Sequence, residues 1–208
     1  MVPYQNQPNQ QRRGRGRGRR RKGKSNSGNV LNFQPNVTSA LTLTLSGLDT
    51  PVPVAGFKAT AIKINSLSGT SNLGHYIAKA SNFAGIFQYT FVNWLQIEWI
   101  PTTGYTTVGT VALGIQPDIS ATTPADLQAI YSLSHSVVGD LKQPIVLRIS
   151  GDQLRQSRAY PLTHESGASE EQKSAGVLYT WVDGDTGTTS PGYFKITAQY
   201  NYSQFQSS

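Results

Sequence analysis

From Leu31 onward the sequence alternates apolar and polar residues with a period of two, and Gly, Pro, Asn, Asp and Thr break the alternation at short intervals. Successive side chains of an extended strand point to opposite faces, so this period describes half-buried β-strands kept short by turns. Leu41, Leu43 and Leu45 alternating with Thr42 and Thr44 are the plainest case, with Gly47, Pro51 and Pro53 closing the strand. Hydrophobic residues make up 37% of the chain and charged residues only 14%, a balance of turn-rich β proteins and not of a helical bundle.

Seven further strands follow. Residues 57–64 place Ile62 and Ile64 on one face with Lys63 opposite. Residues 90–101, TFVNWLQIEWIP, form the longest apolar β-type run, with Trp94 and Trp99 on opposite faces, which predicts that both faces are covered. After the turn residues TTGYTT comes VGTVALGI, where Val111, Leu113 and Ile115 share a face and Gly109, Ala112 and Gly114 permit close approach; the spacing suggests an antiparallel connection to the preceding strand. HSVVG, QPIVLRIS, AGVLYTWV and GYFKITAQYNY complete the set, and RQSRAYPLTHESGASEEQKS reads as a long polar connection.

Helix signals are sparse. TTPADLQAIYSL carries the best one, with Thr123 as N-cap, Pro124 at the first helical position and Leu127, Ile130 and Tyr131 on one side. HYIAKASNFAGIF, between the second and third strands, holds a short helix or an irregular crossing. Eight strands with one or two short helices describe an all-β, antiparallel jelly-roll sandwich.

The charge is distributed unevenly. The net charge is +7, but residues 1–24 alone carry seven Arg and two Lys with no acid, or +9, and the other 184 residues hold nine bases against eleven acids, or −2. A polyanionic partner is therefore expected at the tail and not at the folded body. Residues 1–30 are Gln, Asn, Gly and Arg with almost nothing to bury, which predicts an arm that is disordered when free, ahead of one folded domain over 31–208. Arg12, Arg13, Arg15, Arg17, Arg19, Arg20 and Arg21, with Lys22 and Lys24, are the RNA-binding candidates: each guanidinium forks onto phosphate oxygens or stacks on an unpaired base. The blander reading of the same run is a solvated tail or a nuclear-localisation signal.

Other chemistries find little support. The chain has no cysteine, which removes disulfides, thiol catalysis and thiolate metal sites and suits a reducing cytosol. No apolar run reaches membrane-spanning length, and charges stand where a secretory signal would be apolar, so no membrane partner is expected. His75, His135 and His164 lack the spacing of a metal or catalytic pair and read as surface or satisfied polar residues, and no serine sits in a catalytic frame. No enzyme is expected. Asp183 and Asp185 in WVDGDTG read as a hairpin turn.

The order of these elements, with FVNWLQIEWIP, TVALGIQPD and the closing FKITAQYNY, resembles the shell domain of coat proteins from small icosahedral plant RNA viruses of the sobemovirus and tombusvirus type. A strand ending at Trp99 to Pro101, a Thr- and Gly-rich turn over 102–109, the strand 110–115 and Asp118 just beyond match the family's pattern in turn. The likeness covers about residues 31–202; the arm shares only composition and position. It implies a capsid protein of the virion and host-cell cytoplasm, self-assembling into an icosahedral, T=3 shell and packaging single-stranded RNA through the arm. Because the chain stops soon after the last strand, it also implies a smooth shell without a protruding domain. Asp118 lies where the family places a subunit-interface calcium carboxylate, although the next acid is delayed to Asp126, and a loop or helix-capping role is the plain alternative. No other cofactor is implied.

Two rival functions fit parts of the sequence. A non-capsid RNA-binding protein or silencing suppressor would use the RG-rich tail without forming a shell. A jelly-roll carbohydrate-binding module would line an exposed groove with Trp94, Trp99, Trp181 and some of the many tyrosines.

Overall fold

The computed structural model describes residues 41–51, 56–102, 108–154, 162–184 and 190–205, so the arginine-rich arm and the boundary near Leu31 lie outside the described residues. In chain order the elements are β1 (Leu41–Asp49), β2 (Thr60–Lys63), α1 (Leu73–Tyr76), α2 (Ala78–Ala84), β3 (Phe87–Pro101), β4 (Thr110–Gln116) and α3 (Leu127–Tyr131). They continue with β5 (His135–Asp140), β6 (Ile145–Ser150), α4 (Gly151–Leu154), β7 (Leu162–Thr163), α5 (Glu170–Lys173), β8 (Val177–Val182) and β9 (Gly192–Phe205).

The strands form two antiparallel sheets. One runs β1-β9-β3-β6, with the two-residue β7 also pairing β3; the other runs β2-β8-β4-β5. Among these, only β4 and β5 are both consecutive along the chain and paired, and apart from the step from β6 to β7 the chain otherwise passes from one sheet to the other, which is the jelly-roll connectivity. Apart from β7, the eight strands expected from the alternation are those observed.

The core is built by the inward face of each strand. From the first sheet come Leu45, Val92, Leu95, Ile97, Leu147, Ile149 and the unbroken series Phe194, Ile196, Ala198, Tyr200 and Tyr202; from the second come Ile62, Val111, Leu113, Ile115 and Leu178. Each large apolar side chain buried here contributes about 1.5–3 kcal/mol, which is how a domain without disulfides is held together. Trp99 sits at the centre. Its ring packs on Phe194 at 4.9 Å and its indole N–H donates to the Leu141 carbonyl at 2.9 Å. The Leu141 N–H donates in turn to Gly109 O at 3.1 Å, next to the Thr110–Asp140 pair, so one tryptophan of the first sheet is tied to one end of the β4–β5 pair in the second. Gly47 on β1 runs against the junction of α1 and α2, where a methyl group would overlap the Tyr76 carbonyl.

Several local expectations are corrected. The second strand is shorter than 57–64 and comprises Thr60–Lys63, although Ile62 and Ile64 are both buried as read. The 102–109 connection does not join antiparallel partners: β3 and β4 lie in different sheets, and so do β8 and β9 on either side of Asp183, so that segment is a crossover and not a hairpin. Asp183 still makes a tight local contact, accepting from the Gly184 N–H at 2.9 Å, while Asp185 lies outside the described residues. The α3 helix begins after Asp126, whose carboxylate accepts from the Ala129 N–H at 2.7 Å. Thr123 is therefore not its cap, Pro124 is a buried residue upstream of it, and Tyr131 faces solvent instead of sharing the side of Ile130. The long polar connection follows α4 and contains β7 and α5, the last opened by a reciprocal capping box between Ser169 and Gln172.

Candidate functional site

The nine basic residues expected to bind RNA, Arg12 through Lys24, lie outside the described residues. What the structure does describe is the outward face of the first sheet. Strand β1 starts at Leu41 on the edge of the first sheet, paired with Tyr202 of β9.

The outward face of this sheet is polar and cross-linked. Thr42 donates to Asn201 Oδ1 at 2.6 Å, Asn201 Nδ2 donates to Asn93 Oδ1 at 3.3 Å, Asn93 Nδ2 donates to Gln199 Oε1 at 3.2 Å, and Gln199 Nε2 donates to Thr44 Oγ1 at 3.3 Å. On β3 the register against β9 shifts between Val92 and Trp94. Val92 and Leu95 are both buried, so the two residues between them, Asn93 and Trp94, share the outward face. The guanidinium of exposed Arg148, on neighbouring β6, lies over the half-buried Trp94 indole at 5.1 Å from its centroid. Trp94 and Trp99 are thus on opposite faces as expected, but the outward face is only partly covered.

The three histidines have different environments. His75 is exposed beside Tyr76. His164 is the satisfied polar residue expected of it: Nδ1 lies 2.6 Å from the Phe87 carbonyl and Nε2 lies 2.8 and 2.9 Å from the hydroxyls of Thr90 and Ser66. A carbonyl can only accept, so Nδ1 carries the proton and Nε2 accepts from the hydroxyls. Burial pushes the His164 pKa below the ordinary histidine value, a shift opposed by the carbonyls of Phe87 and Ala84. His135 departs from the expectation, because its Nε2 is buried with no hydrogen-bond partner among the described residues. Nothing in the sequence marked Ser66, Thr90 and His164 as neighbours, since 74 and 98 residues separate the histidine from the two hydroxyls.

Asp118 makes a compact local turn, its Oδ1 accepting from both the N–H and the hydroxyl of Ser120 at 2.9 and 2.7 Å. Asp126 is committed to capping α3. Among the described residues no three His, Asp or Glu side chains come together within one chain. Also among them, no helix is long and apolar enough to cross a membrane.

Among the described residues, the aromatic side chains invoked for sugar binding are mostly packed within the domain. Trp99, Tyr200 and Tyr202 are buried in the core, and burial drives both tyrosine pKa values far upward, so their hydroxyls stay protonated. Trp181 packs on Phe57 at 5.1 Å between ring centroids. Of the three tryptophans invoked for sugar binding, one is core, one is packed on a neighbour and one lies beneath an arginine, which removes the basis of the carbohydrate-binding reading.

Two antiparallel sheets in this strand order, with short helices in the crossovers, define a jelly-roll fold. Residues 71–145 match the family model of the viral coat protein S domain, a span from the approach to α1 as far as the first residue of β6. A comparison with curated proteins gives no match.

Solved structures share the fold. The cucumber necrosis virus structure aligns with a TM-score of 0.64 at 17% identity, over 81% of this chain and 58% of that one. The tobacco necrosis virus structure gives 0.65 at 13% identity over 81% and 98%, and the maize chlorotic mottle virus structure 0.65 at 14% over 82% and 97%. The chain thus spans less than two thirds of the cucumber necrosis virus chain and nearly all of the other two.

Proposed function

We propose that this chain is a viral coat protein that assembles into a closed icosahedral shell and packages single-stranded RNA through the arm that precedes the jelly roll. The observation that carries this reading is the division of charge: +9 on residues 1–24, −2 on the remainder, in a chain whose body has a coat-protein fold. A T=3 shell has roughly 180 subunits, whose arms would bring on the order of 1,600 positive charges to the interior. Assembly is multivalent, with weak contacts between copies summed by symmetry and the RNA acting as polyanionic scaffold. The absence of cysteine suits assembly in a reducing host cytoplasm.

Binding by such an arm is electrostatic and indifferent to sequence. If all nine bases contact phosphates, log K falls with log salt at a slope of up to about −6 on single strands, close to a 10⁴-fold loss between 50 and 200 mM salt. The test is a salt titration of RNA binding by the full chain and by a variant with the seven arm arginines replaced by glutamine. The slope should collapse toward that of the two remaining lysines, about −1.4. An unchanged slope would place the RNA contact elsewhere and refute the arm's role.

A further inference from the structure

We propose that the outward face of the β1-β9-β3-β6 sheet is a second RNA contact, in which unpaired nucleobases stack at Trp94 and Arg148 while the arm holds the phosphates. The inference rests on the packaging reading and adds to it a place on the folded domain where bases, and not only charge, are met.

Four observations converge there. The register shift between Val92 and Trp94 turns two consecutive side chains to one face, so a large aromatic lies where strict alternation would leave only one side chain between inward-facing residues. Arg148 lies over the Trp94 indole, and an arginine plane on an aromatic is a platform for a flat, electron-rich ring attached to a phosphate chain. The surrounding side chains, Asn93, Gln96, Gln199 and Asn201, are amides that both donate and accept, which suits base edges of any identity. The charge also favours a polyanion: the outward positions of the four strands carry Arg148 and Lys195 against a single acid, Glu98, which Lys195 approaches at 3.9 Å.

The hydrogen-bonded row Thr42, Asn201, Asn93 starts on β1 and ends beside Trp94, crossing three strands. At about 4.8 Å per strand, the row covers ~10 Å. A sugar ligand would call for a bare indole face, and here the guanidinium covers it.

The experiment uses the full chain with two probes, poly(U) and inorganic polyphosphate, both polyanions and only one bearing bases. Tryptophan emission and probe binding are followed together in the wild type, Trp94→Leu and Arg148→Gln. Poly(U) should quench the part of the emission that Trp94→Leu removes, and polyphosphate should bind without that quench. Arg148→Gln should reduce the poly(U) quench several-fold while polyphosphate binding is retained. Because Arg148 is exposed, that variant carries the test even if Trp94→Leu folds poorly. Equal effects of the two probes on emission, or a quench that survives both substitutions, would overturn the stacking contact and leave packaging by the arm intact. Binding of neither probe would bring down the packaging reading and this inference with it. An emission change that depends on protein concentration without RNA would assign the face to a second copy of the chain and also overturn the proposal.

Discussion

Replacing Trp99 by phenylalanine tests the packing of the two sheets more sharply than any other single change. The indole is fully buried, contacts Phe194 and donates to the Leu141 carbonyl at 2.9 Å. Phenylalanine keeps an aromatic ring but removes the donor and roughly 40 Å³ of side chain; at ~24 cal/mol per Å³ of unfilled cavity that is about 1 kcal/mol. Depriving the buried Leu141 carbonyl of this donor costs about 1–3 kcal/mol more. The sum, about 2–4 kcal/mol, is a large part of the ~5–15 kcal/mol typical of a whole domain. Equilibrium urea unfolding of unassembled subunits, followed by circular dichroism, should show the midpoint falling by about 1–2 M for an m-value near 2 kcal/mol/M. Trp94→Phe is the internal control, because its half-exposed ring should cost under ~1 kcal/mol. Equal shifts for the two tryptophans, or a Trp99→Phe shift below ~0.5 kcal/mol, would refute the account of the core.

Three further outcomes follow from the same geometry. His164 is held neutral by burial, so the unfolded chain binds its proton more readily than the folded one; stability should fall as pH drops below the ordinary histidine range near 6.5 and level off below the lowered folded pKa, and His164→Gln should flatten that limb of a urea-midpoint profile. Asp126→Ala removes the cap of α3 and should cost about 1 kcal/mol by urea unfolding. If calcium joins subunits at Asp118, chelator should swell wild-type particles and leave Asp118→Asn particles unchanged in sedimentation; identical swelling of both would remove calcium from that residue.

The strands were legible because burial enforces alternation residue by residue, as at Leu41 to Leu45 and in the series from Phe194 to Tyr202. Their pairing was less so. Turn-rich spacing around residues 102–109 and 183–191 looks alike whether the chain folds back on its neighbour or crosses to the opposite sheet, which is why both segments read as connections between paired strands and both proved to be crossovers. At α3 the sequence offered two start signals, Thr123-Pro124 and Asp126; burial of Pro124 left the carboxylate to cap the helix. The Ser169 to Gln172 capping box was readable from spacing alone and was passed over inside a polar stretch. The outward face at Trp94 depends on a register shift, and the His164 cluster on three distant segments meeting, neither of which leaves a local mark in sequence.

The most direct test of the central claim is electron microscopy of the full chain mixed with single-stranded RNA, across a range of pH, salt and calcium. Uniform closed particles of roughly 30 nm, altered in size or yield when the arm arginines are neutralised, are the predicted result. Monomers or dimers that bind RNA but never close into shells would contradict it and point to the non-capsid RNA-binding alternative.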